Sequence, residues 1–146
     1  MRRLILLFLA LLAAAPAAAQ RPEPDWRQAV EEQVLVRLSA YEPNEIRLEA
    51  GRPTRLVFFN NTRARLSLQA GSFFANSYIR RGDERLVSGG GITLEPGETR
   101  AVTLVPTPGR YRVRSRSWFR RLIGMSAVIV VEPAGSRQNA RGRIGN

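Results

Sequence analysis

The sequence predicts an all-β protein, a sandwich or barrel of about seven to eight short strands with one short helical segment. Runs rich in β-branched, aliphatic and aromatic residues recur along the chain, and turn signals of proline, glycine or asparagine separate them. Several runs alternate polar and apolar residues, which places one side of each strand on a core and the other in solvent. This pattern is typical of a sandwich or barrel, and not of alternating helices and strands.

The N-terminus has the three parts of a signal peptide. Arg2 and Arg3 form a positive start, residues 4–14 are apolar, and Ala17–Ala19 supply small side chains before Gln20. The apolar run is shorter than the roughly 20 residues that span a bilayer, so we expect cleavage and a mature form without a transmembrane segment. No cysteine follows the run, which disfavours a lipid anchor. The predicted location is the periplasm.

One domain is predicted between a linker and a basic tail. Prolines and charges precede the first strand and indicate an extended linker. The end of the chain is rich in glycine and arginine and poor in apolar residues, which indicates disorder. Removing 19 of the 146 residues leaves 127, enough for one core. The predicted divisions are a signal peptide at 1–19, a linker at 20–30, a domain at 31–133 and a basic tail at 134–146.

Arginine supplies all the basic charge. The 23 basic side chains are all arginine, and the chain has no lysine, histidine or cysteine. Against 12 acids the formal net charge is +11, or +9 once Arg2 and Arg3 are removed. This charge favours an acidic protein or an anionic envelope lipid or glycan as partner, and not nucleic acid, which an exported protein rarely meets. Charge that serves solubility alone is the other interpretation.

Eight segments of the chain have the pattern of strands, and one has the pattern of a helix. The predicted strands lie at 34–38, 45–49, 55–59, 65–69, 92–94, 99–105, 110–116 and 127–131. A short helix or compact loop is predicted at 72–81, with Ser72 as its cap and with Phe74 and Tyr78 on one face. We expect these aromatic residues to close one end of the sandwich.

The predicted strand at 110–116 alternates arginine with smaller residues. Successive side chains of a strand point to opposite faces, so the arginines share one face while Tyr111, Val113 and Ser115 share the other. Four guanidinium groups spaced by about 6.6 Å would form a ladder roughly 20 Å long. Arginine binds phosphate and carboxylate through two parallel hydrogen bonds. We predict an anion- or partner-binding surface made of Arg110, Arg112, Arg114, Arg116, Trp118, Arg120 and Arg121.

A merely solvated face is the alternative for this row of arginines. Exposed strand faces are commonly charged without binding anything, because charged side chains favour water. Acids on neighbouring strands would then neutralise the row, and those available are Glu45, Glu49, Glu95 and Glu98.

Several landmarks stand in a characteristic order along residues 31–132. They are EPNEIRLEAGRPTRLVFFNN, the pair Phe73–Phe74, a Pro-Gly turn and a Pro-Gly-x-Tyr strand entry in ITLEPGETRAVTLVPTPGRYRVRS, and a Gly-Met pair in GMSAVIVVE. Together they resemble the bacterial cupredoxins, the family of plastocyanin and azurin. The resemblance implies a Greek-key β-sandwich that covers nearly the whole mature chain.

The resemblance also implies a copper site of two histidines, one cysteine and one methionine, and this chain keeps only the methionine. The corresponding positions are Leu66 or its neighbour Ser67, Ser115, Arg120 and Met125. A blue-copper centre needs a thiolate and two imidazoles, which a hydroxyl, a permanent cation and an aliphatic group cannot replace. We therefore predict no metal, no other cofactor and a copper-free binding or accessory domain. The alternative is a copper-binding electron carrier with an atypical site.

Residue types for catalysis are scarce, so the sequence does not predict an enzyme. Without histidine, cysteine or lysine, a serine nucleophile would lack its usual base. The carboxylate pairs Glu42 with Glu45 and Asp83 with Glu84 lie in turn-like segments, where solvated charge is the ordinary role. The glycines at 89–91 lack the lysine and hydroxyl residue of a phosphate-binding loop.

A third class of function that is compatible with the sequence is a subunit that docks on a larger envelope complex. Trp118 and Phe119 are aromatic residues beside arginines, and such residues are enriched in interface hot spots. Their other interpretation is that they fill the emptied metal pocket.

Overall fold

The computed structural model describes residues 22–117 and 125–136. The predicted signal peptide, most of the predicted tail, and the predicted site residues Trp118, Arg120 and Arg121 lie outside the described residues, as does Phe119. Among the helices that are described, none has the length and apolar character needed to cross a membrane.

Ten strands form two five-stranded sheets in this part of the chain. Sheet A has the order β2-β1-β4-β8-β6, with bounds β2 Tyr41–Glu42, β1 Val30–Val36, β4 Thr54–Asn60, β8 Thr99–Val105 and β6 Tyr78–Ile79. Sheet B has the order β3-β10-β9-β5-β7, with bounds β3 Glu45–Glu49, β10 Ser126–Glu132, β9 Gly109–Ser115, β5 Leu66–Gln69 and β7 Gly91–Leu94. The predicted all-β sandwich is confirmed.

The core of the sandwich follows from the alternation of the strands. In β4, Leu56 and Phe58 are buried while Arg55 and Phe59 are exposed. Side chains of both sheets contribute to one cluster of buried residues, which includes Val34, Val36, Ile46, Leu48, Leu68, Leu104, Val113, Ile129 and Val131. Each large side chain buried in this way stabilises the fold by about 1.5–3 kcal/mol, and no disulfide contributes.

The two strands that the sequence did not predict, β2 and β6, are each two residues long. Strand β2 lies between the predicted strands at 34–38 and 45–49, and β6 lies in the segment predicted as a helix. Strand β1 begins at Val30, four residues before its predicted start, because it pairs in parallel with β4 over its whole length. The residues ahead of it, predicted as an extended linker, contain the 3-10 turn Trp26–Gln28.

The predicted helix is shorter than its pattern indicated. Helix α1 spans Gly71–Ala75, and Ser72 lies inside it and does not cap it. Side chains end the helix, because the Asn76 amide donates to the carbonyl of Ser72 at 2.7 Å and the Ser77 hydroxyl to that of Phe73 at 2.8 Å. Phe74 is buried as expected, whereas Tyr78 is 56% exposed. The two rings therefore do not share a helix face, and that prediction is wrong for Tyr78.

Candidate functional site

Strand β9 presents a row of arginines on the outer face of sheet B. Arg110, Arg112 and Arg114 are exposed, as is Arg116 directly after the strand, while Val113 and Ser115 are buried. The alternation expected from the sequence is thus confirmed. Whether the row binds an anion depends on which acids surround it.

One of the four arginines in the row has a carboxylate partner among the described residues. The Arg110 guanidinium lies 3.6 Å from Glu45, whose carboxylate also pairs with Arg47 at 2.6 Å. The other acids considered as neutralising partners pair away from β9: Glu49 with Arg52, Glu95 with Arg65 and Glu98 with Arg100. Among the described residues the acids expected from the sequence therefore pair with Arg110 alone in this row, and the interpretation as a merely solvated face stays a prediction.

Arg112, Arg114 and Arg116 form what we call the arginine surface. Within the described residues none of the three has an ion pair. Their neighbours on the flanking strands are uncharged. Arg114 lies opposite Gln69 on β5 and Ser126 on β10, and Arg112 lies opposite Val128 on β10. The positive charge of this surface is therefore not compensated by the strands beside it.

The positions that correspond to the copper ligands lie in the core. Leu66, Ser115 and Met125 are each at most 2% exposed. Leu66 lies opposite Leu94, whereas Ser115 lies opposite Leu68, so it is Leu68 of β5 that faces Ser115 across the ladder. The Ser115 hydroxyl accepts a hydrogen bond of 3.3 Å from the backbone N–H of Ser117. The Ser115 hydroxyl therefore has a hydrogen-bond partner within the protein.

These residues do not fit a copper ion. Leu66 is aliphatic and Ser115 carries a neutral hydroxyl, so the thioether of Met125 is the one soft donor of the three. A thioether alone does not hold Cu(II). The neighbouring Ser67 hydroxyl is hydrogen-bonded to Thr93 Oγ1 at 3.2 Å. Residues 22–117 and 125–136 contain no cluster of three or more histidine, cysteine or acidic side chains that could hold a metal. The sequence as a whole lacks histidine and cysteine.

A buried asparagine that the sequence did not single out closes the same end of the sandwich, where β4, β7 and β9 all end. Asn60 is fully buried at the end of β4. Its amide nitrogen lies 2.8 Å from the carbonyl of Ala64, 3.3 Å from that of Leu94 and 2.8 Å from that of Glu95. Its side-chain oxygen accepts from the backbone N–H and the hydroxyl of Thr62. Asn60 therefore joins β4 to the following loop and to the end of β7.

The turn after β7 is held by Glu98. Its carboxylate accepts from the backbone N–H of Glu95 at 2.7 Å and from the Arg100 guanidinium. These two hydrogen bonds, the backbone one first, hold the pKa of Glu98 below its ordinary value of 4.5. Glu98 therefore stays ionised and keeps its partners at neutral pH.

Asp83 differs from the prediction of a solvated carboxylate. It is 8% exposed, and its Oδ2 accepts a buried hydrogen bond of 2.9 Å from the backbone N–H of Thr103 on β8. Its Oδ1 lies 3.1 Å from the Arg80 guanidinium. Glu84, the other member of the predicted pair, is exposed and accepts from the N–H of Gly82. The two acids have different partners and do not form a catalytic pair.

Two surface grooves lie away from the arginine surface. One, of about 640 Å³, lies beside Asn60 and is lined in part by Arg37, Leu38 and Arg63. The other, of about 910 Å³, is lined by Tyr78 and four prolines, Pro22, Pro24, Pro106 and Pro108. Neither groove includes a residue of β9.

Comparison with known proteins gives the fold a family resemblance. No family model matches the chain. Reduced auracyanin from the photosynthetic bacterium Roseiflexus castenholzii matches 72% of this chain and 98% of its own, with a TM-score of 0.53 and 19% identity. Auracyanin B matches 73% of this chain and 91% of its own, with a TM-score of 0.52 and 20% identity. At these identities the likeness is one of fold, and the chain is a cupredoxin-like β-sandwich.

Proposed function

We propose that this protein is an exported, metal-free cupredoxin-like domain that docks on an anionic component of the cell envelope through the arginine surface. The observation that supports this proposal is the set of three arginines on and next to β9, Arg112, Arg114 and Arg116, that have no carboxylate partner among the described residues. Of the other twelve described arginines nine take part in ion pairs, and the remaining three, Arg63, Arg81 and Arg85, lie outside β9. Charge left uncompensated in one row is available for a partner.

Phosphate groups of lipids or glycans are the partner chemistry that suits this row. Neighbouring exposed positions on a strand are about 6.6 Å apart, so three guanidinium groups extend over roughly 13 Å. A guanidinium donates two parallel hydrogen bonds to a phosphate and remains charged at every physiological pH. The row therefore favours a surface or polymer with several phosphates over a single small anion.

Binding, and not catalysis or electron transfer, is the proposed mode of action. The chain lacks histidine, cysteine and lysine, which removes the common general bases and covalent nucleophiles other than hydroxyls and carboxylates. Electron transfer through copper would require ligands that Leu66, Ser115 and Met125 do not supply.

We expect isothermal titration of the purified mature protein with Cu(I) and Cu(II) to show no tight one-to-one binding, because the thiolate and both imidazoles are absent from the sequence. The control is the variant Met125→Leu, which removes the remaining soft donor and should give the same titration. Submicromolar binding by the natural protein that is lost in Met125→Leu would show that an atypical copper site exists.

Replacing Arg112, Arg114 and Arg116 together with serine is expected to weaken binding to vesicles that contain anionic phospholipid by about tenfold or more. Each arginine near an anionic surface contributes about 1 kcal/mol, and salt screens part of this contribution. Vesicle co-sedimentation at low and at physiological salt measures the effect. Binding by the natural protein should fall as salt rises, and the triple variant should show a smaller fall.

A charge-matched triple variant separates the arginine surface from net charge. Arg27, Arg52 and Arg65 each pair with an acid. Changing these three to serine removes the same formal charge but leaves the arginine surface intact, so vesicle binding should stay closer to that of the natural protein. Equal losses in both triple variants would show that overall charge, and not this surface, drives binding. Unchanged binding in the first variant would refute the proposed site.

A further inference from the structure

We propose that the anionic partner of the arginine surface is a polysaccharide that carries phosphate groups, and that neutral polar side chains beside the arginines bind its sugar hydroxyls. These side chains belong to Ser67, Gln69 and Thr93, which we call the polar strip. The inference rests on the proposed function, since it names the class of partner for the same surface. It assigns a glycan, and not a lipid, to that surface.

The strand register places the polar strip directly beside the arginine surface. Arg114 of β9 lies opposite Gln69 of β5. The backbone N–H of Arg116 donates to the carbonyl of Ser67 at 3.1 Å, and Ser67 lies opposite Thr93 of β7. Because neighbouring strands are about 4.8 Å apart, the arginines and the polar strip together extend over about 10 Å across the sheet.

The polar strip lies on the same outer face of sheet B as the arginines. Its three side chains are half-buried, and each alternates with residues of the core. Successive side chains of a strand point to opposite faces, so the strip points away from the core. The core residues next to it along β5 and β7 are Leu66, Leu68, Ala70, Ile92 and Leu94.

The polar strip keeps hydrogen-bonding capacity for a ligand. The hydroxyls of Ser67 and Thr93 lie 3.2 Å apart and share one hydrogen bond, which leaves one O–H and several lone pairs of the two. Among the described residues no group is hydrogen-bonded to the Gln69 amide. This amide lies across Gly91 of β7, where a Cβ would come within 2.4 Å of its nitrogen. The strip therefore offers both donors and acceptors.

Donors and acceptors together favour a partner that has hydroxyl groups as well as anions. Guanidinium groups only donate hydrogen bonds, and the ionised oxygens of a phosphate only accept them. A partner made of phosphate alone would match the arginine surface but would supply no donor to the acceptors of the polar strip. A phosphorylated polysaccharide supplies anions and O–H donors on one chain, so it matches both sets of side chains.

The outer face of sheet B lacks the apolar anchors that favour a membrane. Binding to a bilayer surface grows with the apolar area that enters it, in addition to the attraction of cations to anionic lipids. The exposed large hydrophobic side chains of the described residues are Leu38, Phe59 and Tyr78. Phe59 and Tyr78 lie on strands of sheet A, and Leu38 follows β1 of the same sheet. On the other flank of the arginines Val128 is half-buried.

Isothermal titration of the full mature chain with two soluble probes, at physiological salt, tests the inference. The probes are a phosphorylated mannan and inorganic polyphosphate, which both carry phosphate, whereas the mannan alone has sugar hydroxyls. The double variant Gln69→Met with Thr93→Val removes polar groups of the strip and nearly keeps the size of the side chains. We expect it to weaken mannan binding about fivefold or more, through lost hydrogen bonds, and to change polyphosphate binding by less than about twofold.

The double variant Gln33→Met with Thr99→Val is the matched control. It makes the same two substitutions at exposed positions of β1 and β8 in sheet A. It should bind both probes as the natural protein does. Circular dichroism checks that both double variants are folded.

The inference and the proposed function fail on different results. A natural protein that binds anionic vesicles but not the phosphorylated mannan overturns the inference. So does mannan binding that Gln69→Met with Thr93→Val leaves unchanged, or weakens no more than it weakens polyphosphate binding. The proposed function is refuted instead if replacing Arg112, Arg114 and Arg116 with serine changes neither vesicle binding nor mannan binding.

Discussion

Replacing Asn60 with alanine is expected to lower the free energy of unfolding by about 1–3 kcal/mol, which is the cost of leaving one buried polar group without its partner. The change removes the amide that donates to the carbonyls of Ala64, Leu94 and Glu95. It also removes the acceptor of the Thr62 N–H. The Leu94 carbonyl is buried, whereas Ala64 is half-buried and Glu95 is exposed, so water replaces part of the lost hydrogen bonds. Urea unfolding followed by circular dichroism measures the loss.

The adjacent Asn61 provides the matched control for this prediction. Asn61 is exposed, and its backbone N–H, which the substitution keeps, donates to the carbonyl of Val36. Asn61→Ala should therefore change the unfolding free energy by no more than about 0.5 kcal/mol. Asn60→Asp keeps the size of the side chain but replaces the donor with oxygen facing carbonyl oxygens, so it should be as harmful as alanine. Equal stability of Asn60→Ala and Asn61→Ala would contradict this role for Asn60.

Replacing Asp83 with alanine is expected to cost about 2–3 kcal/mol, because hydrogen bonds to charged groups contribute about 1.5–3 kcal/mol and a buried donor loses its partner. That donor is the N–H of Thr103 in β8. The same stretch of β8 is already bound through its carbonyl, which accepts from the N–H of Arg80 at 2.9 Å. Thermal and urea unfolding should both show the loss, and the segment around Arg80 should open first in hydrogen exchange.

Two substitutions separate the hydrogen bond of Asp83 from its charge. Asp83→Asn keeps a carbonyl oxygen that can accept from the Thr103 N–H, so it should restore more than half of the stability lost in Asp83→Ala. Glu84→Ala removes an exposed carboxylate one position later and should cost less than about 1 kcal/mol. An Asp83→Asn variant as unstable as Asp83→Ala would show that the ion pair with Arg80, and not the bond to β8, carries the stability.

Local residue patterns predicted the strands that are long enough to show a pattern. The arginines of 110–116 alternate with smaller residues, so periodicity identified both that strand and its faces, whereas 55–59 was predicted as a strand from a mostly apolar run that does not show which side is buried. Strands β2 and β6 are two residues long and carry no period that a sequence can show. The helix was predicted too long because Asn76 and Ser77 compete for the carbonyls of its last turn, and an aromatic spacing does not reveal that competition.

The lack of copper ligands could be predicted from the sequence for a different reason. The absence of histidine and cysteine is a property of composition, and composition does not depend on how the chain folds. The burial of Leu66, Ser115 and Met125 adds that these positions belong to the core. The sequence could not show that Leu68, and not Leu66, lies opposite Ser115, because register between strands distant in the chain is set by their pairing.

The amino-acid pattern alone was enough to place the arginines of β9 on one exposed face, because alternation is a local property of extended backbone. Which acid pairs with which arginine of β9 depended on the fold. Folding brings Glu45 to Arg110 and Glu95 to Arg65, while Glu49 and Glu98 pair with arginines three and two residues away in the chain, which leaves the arginine surface uncompensated by the described residues. Likewise Asp83 meets Thr103 across 20 residues of chain, and Asn60 meets Glu95 across 35. Ion pairs and buried hydrogen bonds act over a few ångströms, so they depend on distances that only the packed sheets establish.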